Sequence, residues 1–116
     1  MSRSTLPSRH DSPLSEGTLA VLRGMLEQQR EFRLDQLTQL HLPGPYGPLS
    51  STDPEIYESL VSGAQAALHD VQNALARMDA GNYGLCTQCH APIGVERLEI
   101  LPQTGLCLRC LRESAA

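Results

Sequence analysis

Gly81-Asn82-Tyr83-Gly84-Leu85-Cys86-Thr87-Gln88-Cys89, answered further on by Leu106-Cys107-Leu108-Arg109-Cys110, is the stretch on which the reading of this chain turns. Each Cys-x-x-Cys places two sulfurs on one tight turn, and seventeen residues separate the pairs, within the spacing of four-cysteine zinc ribbons and fingers. Two such turns complete a tetrahedron with Zn–S distances of about 2.3 Å, so Cys86, Cys89, Cys107 and Cys110 are the predicted ligands of one structural Zn2+. No position is left for a water, so the ion would not activate a nucleophile; it would contribute folding energy, on the order of 10–16 kcal/mol in zinc-finger peptides. Buried free thiols or two disulfides are the alternatives, and duplicated pairs at this spacing argue against both. His90 follows Cys89 directly, but adjacent residues rarely both reach one metal and a fourth Cys is at hand. Between the pairs, Ile93, Val95, Leu98, Ile100 and Leu101, bounded by Pro92, Gly94 and Pro102, predict a small hairpin or bent loop packed over the metal.

The rest of the chain explains why such a site is needed. Its 116 residues suffice for one small domain carrying an extended arm. Phe32, Tyr46, Tyr57 and Tyr83 are its only aromatic residues and there is no Trp, which leaves a large core short of its usual filling. No stretch approaches the ~20 apolar residues that cross a bilayer, and Met1-Ser2-Arg3-Ser4 leads into polar sequence; a cytoplasmic protein is expected. In that compartment thiols stay reduced, which favours metal ligation over disulfides. The net charge is −4, and all the excess lies between Asp53 and Ala80, where Asp53, Glu55, Glu58, Asp70 and Asp79 face Arg77 alone. That is the reverse of a phosphate-binding footprint, so direct DNA binding is disfavoured.

Residues 1–12 lack periodicity and are expected to be a disordered lead-in. Ser12-Pro13 reads as a helix start, followed by apolar residues at Leu19, Leu22, Met25, Leu26, Phe32, Leu37 and Leu40, a stripe interrupted by Gln29, Arg30 and Arg33. Pro43-Gly44-Pro45 and Gly47-Pro48 form a turn. Asp53 or Thr52 caps a second helix with Pro54 in its first turn, and Tyr57, Leu60, Ala64, Ala67, Val71, Ala74 and Met78 recur in the alternation of a coiled-coil seam until Gly81-Asn82 stops it. The expected fold is mostly α: an antiparallel two-helix coiled-coil hairpin over residues 13–80 with its tip around 42–53, then a four-cysteine zinc finger over 81–116 with a short C-terminal helix. His41 and His69 lack partners at ligand spacing and are expected at the surface or seam edge.

Gly81-x-Tyr83-Gly84-x-Cys86-x-x-Cys89, then Arg97-Leu98-Glu99-x-x-Pro102 and Cys107-x-x-Cys110, resembles the zinc-finger signature of the DksA/TraR family of bacterial transcription regulators. The likeness covers roughly residues 74–111, with His90 in place of the glycine usual after the second Cys. It implies a non-enzymatic regulator that binds RNA polymerase, inserting a coiled-coil tip through the secondary channel and shifting the stability of promoter complexes, often together with the alarmone ppGpp. The family's tip carries an Asp-x-x-Asp-x-Ala signature. Asp53 matches its first Asp, whereas Ile56 stands where the second is usual and Glu58 where the Ala is. Asp53, Glu55 and Glu58 are therefore the candidate partner-binding residues, with a helix cap as the competing account of Asp53, and the favoured one.

Two other classes of function compete. A zinc-stabilised adaptor would bind a different protein through the outer face of the hairpin, and a thiol-based redox sensor would release metal on oxidation. An enzyme is not expected, because no Ser/His/Asp or Cys/His arrangement, phosphate-binding loop or open metal site is readable.

Overall fold

The computed structural model describes residues 14–41 and 53–115. Within them the chain runs through α1 (Glu16–Leu40), α2 (Pro54–Ala80), α3 (Val95–Ile100) and α4 (Leu108–Ala115). The expected lead-in over 1–12, and residues 42–52 of the tip expected around 42–53, lie outside the described residues.

Local chemistry sets the ends of the two long helices. Ser15 Oγ accepts from the Thr18 amide at 3.1 Å, and the flanking Leu14 and Leu19 both pack on the core in the manner of a hydrophobic staple. The described helix is thus capped at Ser15; Ser12 and Pro13, the expected start, lie outside the described residues. Asp53 Oδ1 accepts from the Glu55 amide at 2.8 Å, and Pro54 occupies the first turn, where its missing N–H costs nothing. At the other end Gly81 adopts φ +85°, its amide donating to Met78 O while the Asn82 amide donates to Arg77 O, the paired closure of a Schellman turn.

The helices pack antiparallel. Leu22 and Leu26 of α1 join Val71, Ala74 and Leu75 of α2, and Tyr83 and Leu98 from the finger complete the same buried cluster. On the rim of that contact Arg23 Nη2 pairs with Asp79 Oδ1 at 3.0 Å. Further along, the seam of α1 is Leu22, Leu26, Gln29, Arg33, Gln36 and Leu40, spaced 4, 3, 4, 3 and 4. Gln29 and Arg33, two of the three polar residues expected to interrupt the stripe, are therefore seam positions, and both are half-buried. Phe32, expected on the apolar stripe, is 62 % exposed, one step off the seam and beside the Arg33 guanidinium. No helix among the described residues is long and apolar enough to cross a membrane.

Candidate metal centre

The first cysteine pair sits in a turn closed by backbone hydrogen bonds. Cys86 N donates to Ala91 O, His90 N to Cys86 O and Ile93 N to Gly84 O, with an antiparallel bridge between Leu85 and Pro92. His90 has φ +65°, the left-handed conformation that glycine adopts without cost. Its ring is exposed, and the cluster of metal-ligand type comprises the four cysteines without it. The segment expected to form a hairpin or bent loop is instead the short helix α3, entered through Gly94. Its one buried residue, Leu98, anchors it to the core, so tertiary burial rather than period-two alternation decides its conformation. Cys107 precedes α4 and Cys110 lies within it, which brings the second pair onto the first turn of that helix.

The knuckles are held to each other and to the hairpin by contacts from distant positions. Thr87 N donates to Gly105 O at 2.8 Å. Arg77, in the last turn of α2, donates to Thr104 O, and Arg97 of α3 donates to Leu106 O, so two guanidiniums grip the loop that delivers Cys107. Gly105 allows that grip: a Cβ there would stand 3.3 Å from the Arg77 guanidinium and from Thr87 Cγ2. Burial, offset in part by Tyr83 and Asp70, holds the Arg77 guanidinium below its ordinary pKa. The Tyr83 hydroxyl donates to Pro102 O at 2.8 Å from a fully buried ring. Sequence reasoning assigned none of these roles to Arg77, Arg97 or Tyr83. The Gly-x-Tyr-Gly and Arg-Leu-Glu motifs contained two of them, but the contacts join residues nine to 27 positions apart, which spacing does not encode.

All four sulfurs lie within 4.8 Å of one another and none is in a disulfide. Cys89 Sγ and Cys107 Sγ are 3.8 Å apart, and a tetrahedron with metal–sulfur bonds of about 2.3 Å has an edge of about 3.8 Å. The donor set therefore fits one tetrahedral, thiophilic ion. Its electrostatics point the same way. Burial resists ionisation of Cys86, but the amides of Cys89, Cys107 and Gln88 and the Cys110 thiol outweigh it and bring the thiol down to about 5. Cys107 is lowered chiefly by the Cys110 amide, 3.4 Å from its sulfur. Cys110 is pushed up to about 12 by burial and by its hydrogen bonds with the neighbouring cysteines. Amides thus favour thiolates on one side of the cluster, and a bound dication would let the last thiol ionise beside them.

A helical hairpin seated on a four-thiolate module is the class of protein that fold and site define. The family model of the prokaryotic dksA/traR C4-type zinc finger matches residues 81–114, so the C-terminal module is similar to the zinc finger of that family. An uncharacterized protein of Aquifex aeolicus (strain VF5) is 31 % identical over 67 residues, which are 58 % of this chain and 46 % of that one, so the match spans about half the length of that relative. The solved structure of transcription factor DksA2 from Pseudomonas aeruginosa superposes with a TM-score of 0.63, covering 95 % of this chain and 96 % of that chain at 22 % identity. That likeness establishes a shared fold over nearly the whole chain.

At the opposite end of the hairpin from the metal centre, Asp53, Glu55 and Glu58 are exposed, and the Asp53 carboxylate is engaged as the cap of α2. Ile56, where the family signature has its second Asp, is 57 % exposed.

Proposed function

We propose that this protein is a non-enzymatic transcription regulator that binds RNA polymerase through the secondary channel and modulates initiation without sequence-specific DNA binding. The observation that carries the reading is the pairing of a zinc finger of the dksA/traR type with a fold that superposes on that of a DksA transcription factor at a TM-score of 0.63. Cys86, Cys89, Cys107 and Cys110 hold one Zn2+, which supplies folding energy at the base of the arm and no chemistry. α2, 27 residues long and so about 40 Å at 1.5 Å per residue, gives the arm the reach to enter a channel. The acidic excess on α2 suits a protein partner rather than a nucleic acid backbone. Asp53, Glu55 and Glu58 are the contacts at the far end, and ppGpp is a candidate co-ligand at the polymerase interface.

The test is binding of the zinc-loaded protein to RNA polymerase core enzyme, with a cleavage factor that occupies the secondary channel as competitor. Competed binding at micromolar concentration or tighter is expected, and weakening by Glu55→Ala or Glu58→Ala would assign the acids to the contact. Asp53→Ala removes a cap worth about 1 kcal/mol, so its helix content is measured alongside its binding. Absence of competed binding would overturn the polymerase reading.

A further inference from the structure

The buried apolar cluster of this molecule lies at one end of its hairpin. Leu22, Leu26, Val71, Ala74, Leu75, Tyr83 and Leu98 all sit at the base, next to the finger. Beyond Leu26 the seam of α1 runs through Gln29, Arg33 and Gln36 before it reaches Leu40. α2 answers with Ala64, which is buried, and with Tyr57, Val61 and Ala67, which are only half-buried, while Leu60 is 44 % exposed. Among the described residues of this outer part only Leu40 and Ala64 are buried.

Among the described residues, polar contacts do not compensate. Arg33 donates to Gln36 and His41 Nδ1 contacts Leu37 O, each within α1, whereas the Arg23–Asp79 pair that does cross between the helices belongs to the base. His41 and Tyr57 meet across the outer part only edge-on, with ring centroids 6.4 Å apart. Where the two parts adjoin, an open surface cleft of about 380 Å³ is lined by Gln29 and Arg33 of α1, Ala67 and Val71 of α2, and Gln103 of the finger. Gly63, in the interior of outer α2, lowers helix propensity without being needed for close approach: a Cβ there would meet nothing within 4 Å.

We propose that the hairpin consists of two units of different local stability: a base that opens only when the molecule unfolds, and an outer part, residues 29–41 with 54–67, whose helices separate and fray while the base and finger stay folded. Local opening of this kind follows the density of buried apolar contact, which here falls away past Leu26 and Val71. The arm is then an adaptable element on a rigid mount, able to repack its seam against whatever it meets. This is a property of the free protein and holds whatever the partner is.

Hydrogen–deuterium exchange of the zinc-loaded full chain, read by peptide and repeated at low denaturant, tests it. Amides in 30–39 and 57–66 are expected to exchange about 100-fold faster than those in 22–26 and 71–78, and with little denaturant dependence, because local opening exposes little surface. The double variant Gln29→Leu with Arg33→Leu, which continues the apolar seam, is expected to narrow that gap at least about tenfold. Gly63→Ala, which leaves the seam untouched, is expected to narrow it by about fivefold. Equal rates with equal denaturant dependence in the two regions would overturn the proposal, as would a gap that neither variant changes.

Discussion

Tyr83 ties the hairpin to the finger. It follows the Schellman turn that ends α2, fills the base core with its ring, and donates its hydroxyl to the carbonyl of Pro102 at 2.8 Å, joining the hairpin to the link between the cysteine pairs. Tyr83→Phe keeps the ring and orphans the carbonyl; a loss of about 1–3 kcal/mol in denaturant unfolding of the zinc-loaded protein is expected. The same phenol predicts a pH dependence. Burial, opposed in part by Arg77, raises its pKa from about 10 to about 12. An acid whose folded pKa is raised stabilises the fold fully below the unfolded value and loses that contribution as pH climbs toward the folded one, so stability should fall between about pH 10 and pH 12. The slope over that window should be smaller in Tyr83→Phe, and an unchanged slope would assign the alkaline loss to another group.

At the scale of the helix, the register of α1 separates two apolar residues that look alike in the sequence. Leu26 is fully buried among Leu22, Val71 and Leu75, while Phe32 is 62 % exposed with Arg33 beside its ring, the guanidinium carbon 5.2 Å from the centroid. Leu26→Ala is expected to cost about 2–5 kcal/mol, and Phe32→Ala less than about 1 kcal/mol, measured as shifts in the unfolding midpoint at constant m. A large loss at Phe32 would mean that the helices pair in a different register. Such a seam is hard to read from one helix alone. Gln29, Arg33 and Gln36 are tolerated there because the small Ala64 and Ala67 lie opposite, and so the apolar stripe of α1 was a poorer guide to its buried face than that of α2.

For the molecule as a whole, the decisive quantity is how much of the fold depends on the metal. The finger contributes Tyr83 and Leu98 to the same core that holds the base of the hairpin, so losing the ion should loosen both. Addition of a strong chelator at neutral pH is expected to release one zinc per chain, make all four thiols titratable, and lower helix content together with the thermal midpoint. Protons compete with the ion for the sulfurs, so metal retention should strengthen as pH rises and fail on acidification. A chelated protein with the thermal midpoint of the loaded one would show that the cluster is not a structural site.

What was legible in the sequence was what depends on neighbours in the chain. Pairs of cysteines on tight turns, Asp53 ahead of Pro54 as a cap, Gly81 as a stop and the alternating seam of α2 each follow from spacings of a few residues, and the structure realises them locally, except that Leu60 of the expected seam is 44 % exposed. The tertiary structure decided what depends on contacts between distant residues. It turned residues 95–100 into a helix because burying Leu98 outweighs their strand-like composition, and moved Phe32 to the surface because α2 dictates the register of α1. It also recruited Arg77 and Arg97 to carbonyls of the loop before Cys107, an assignment that exists only once α2, α3 and the finger are packed.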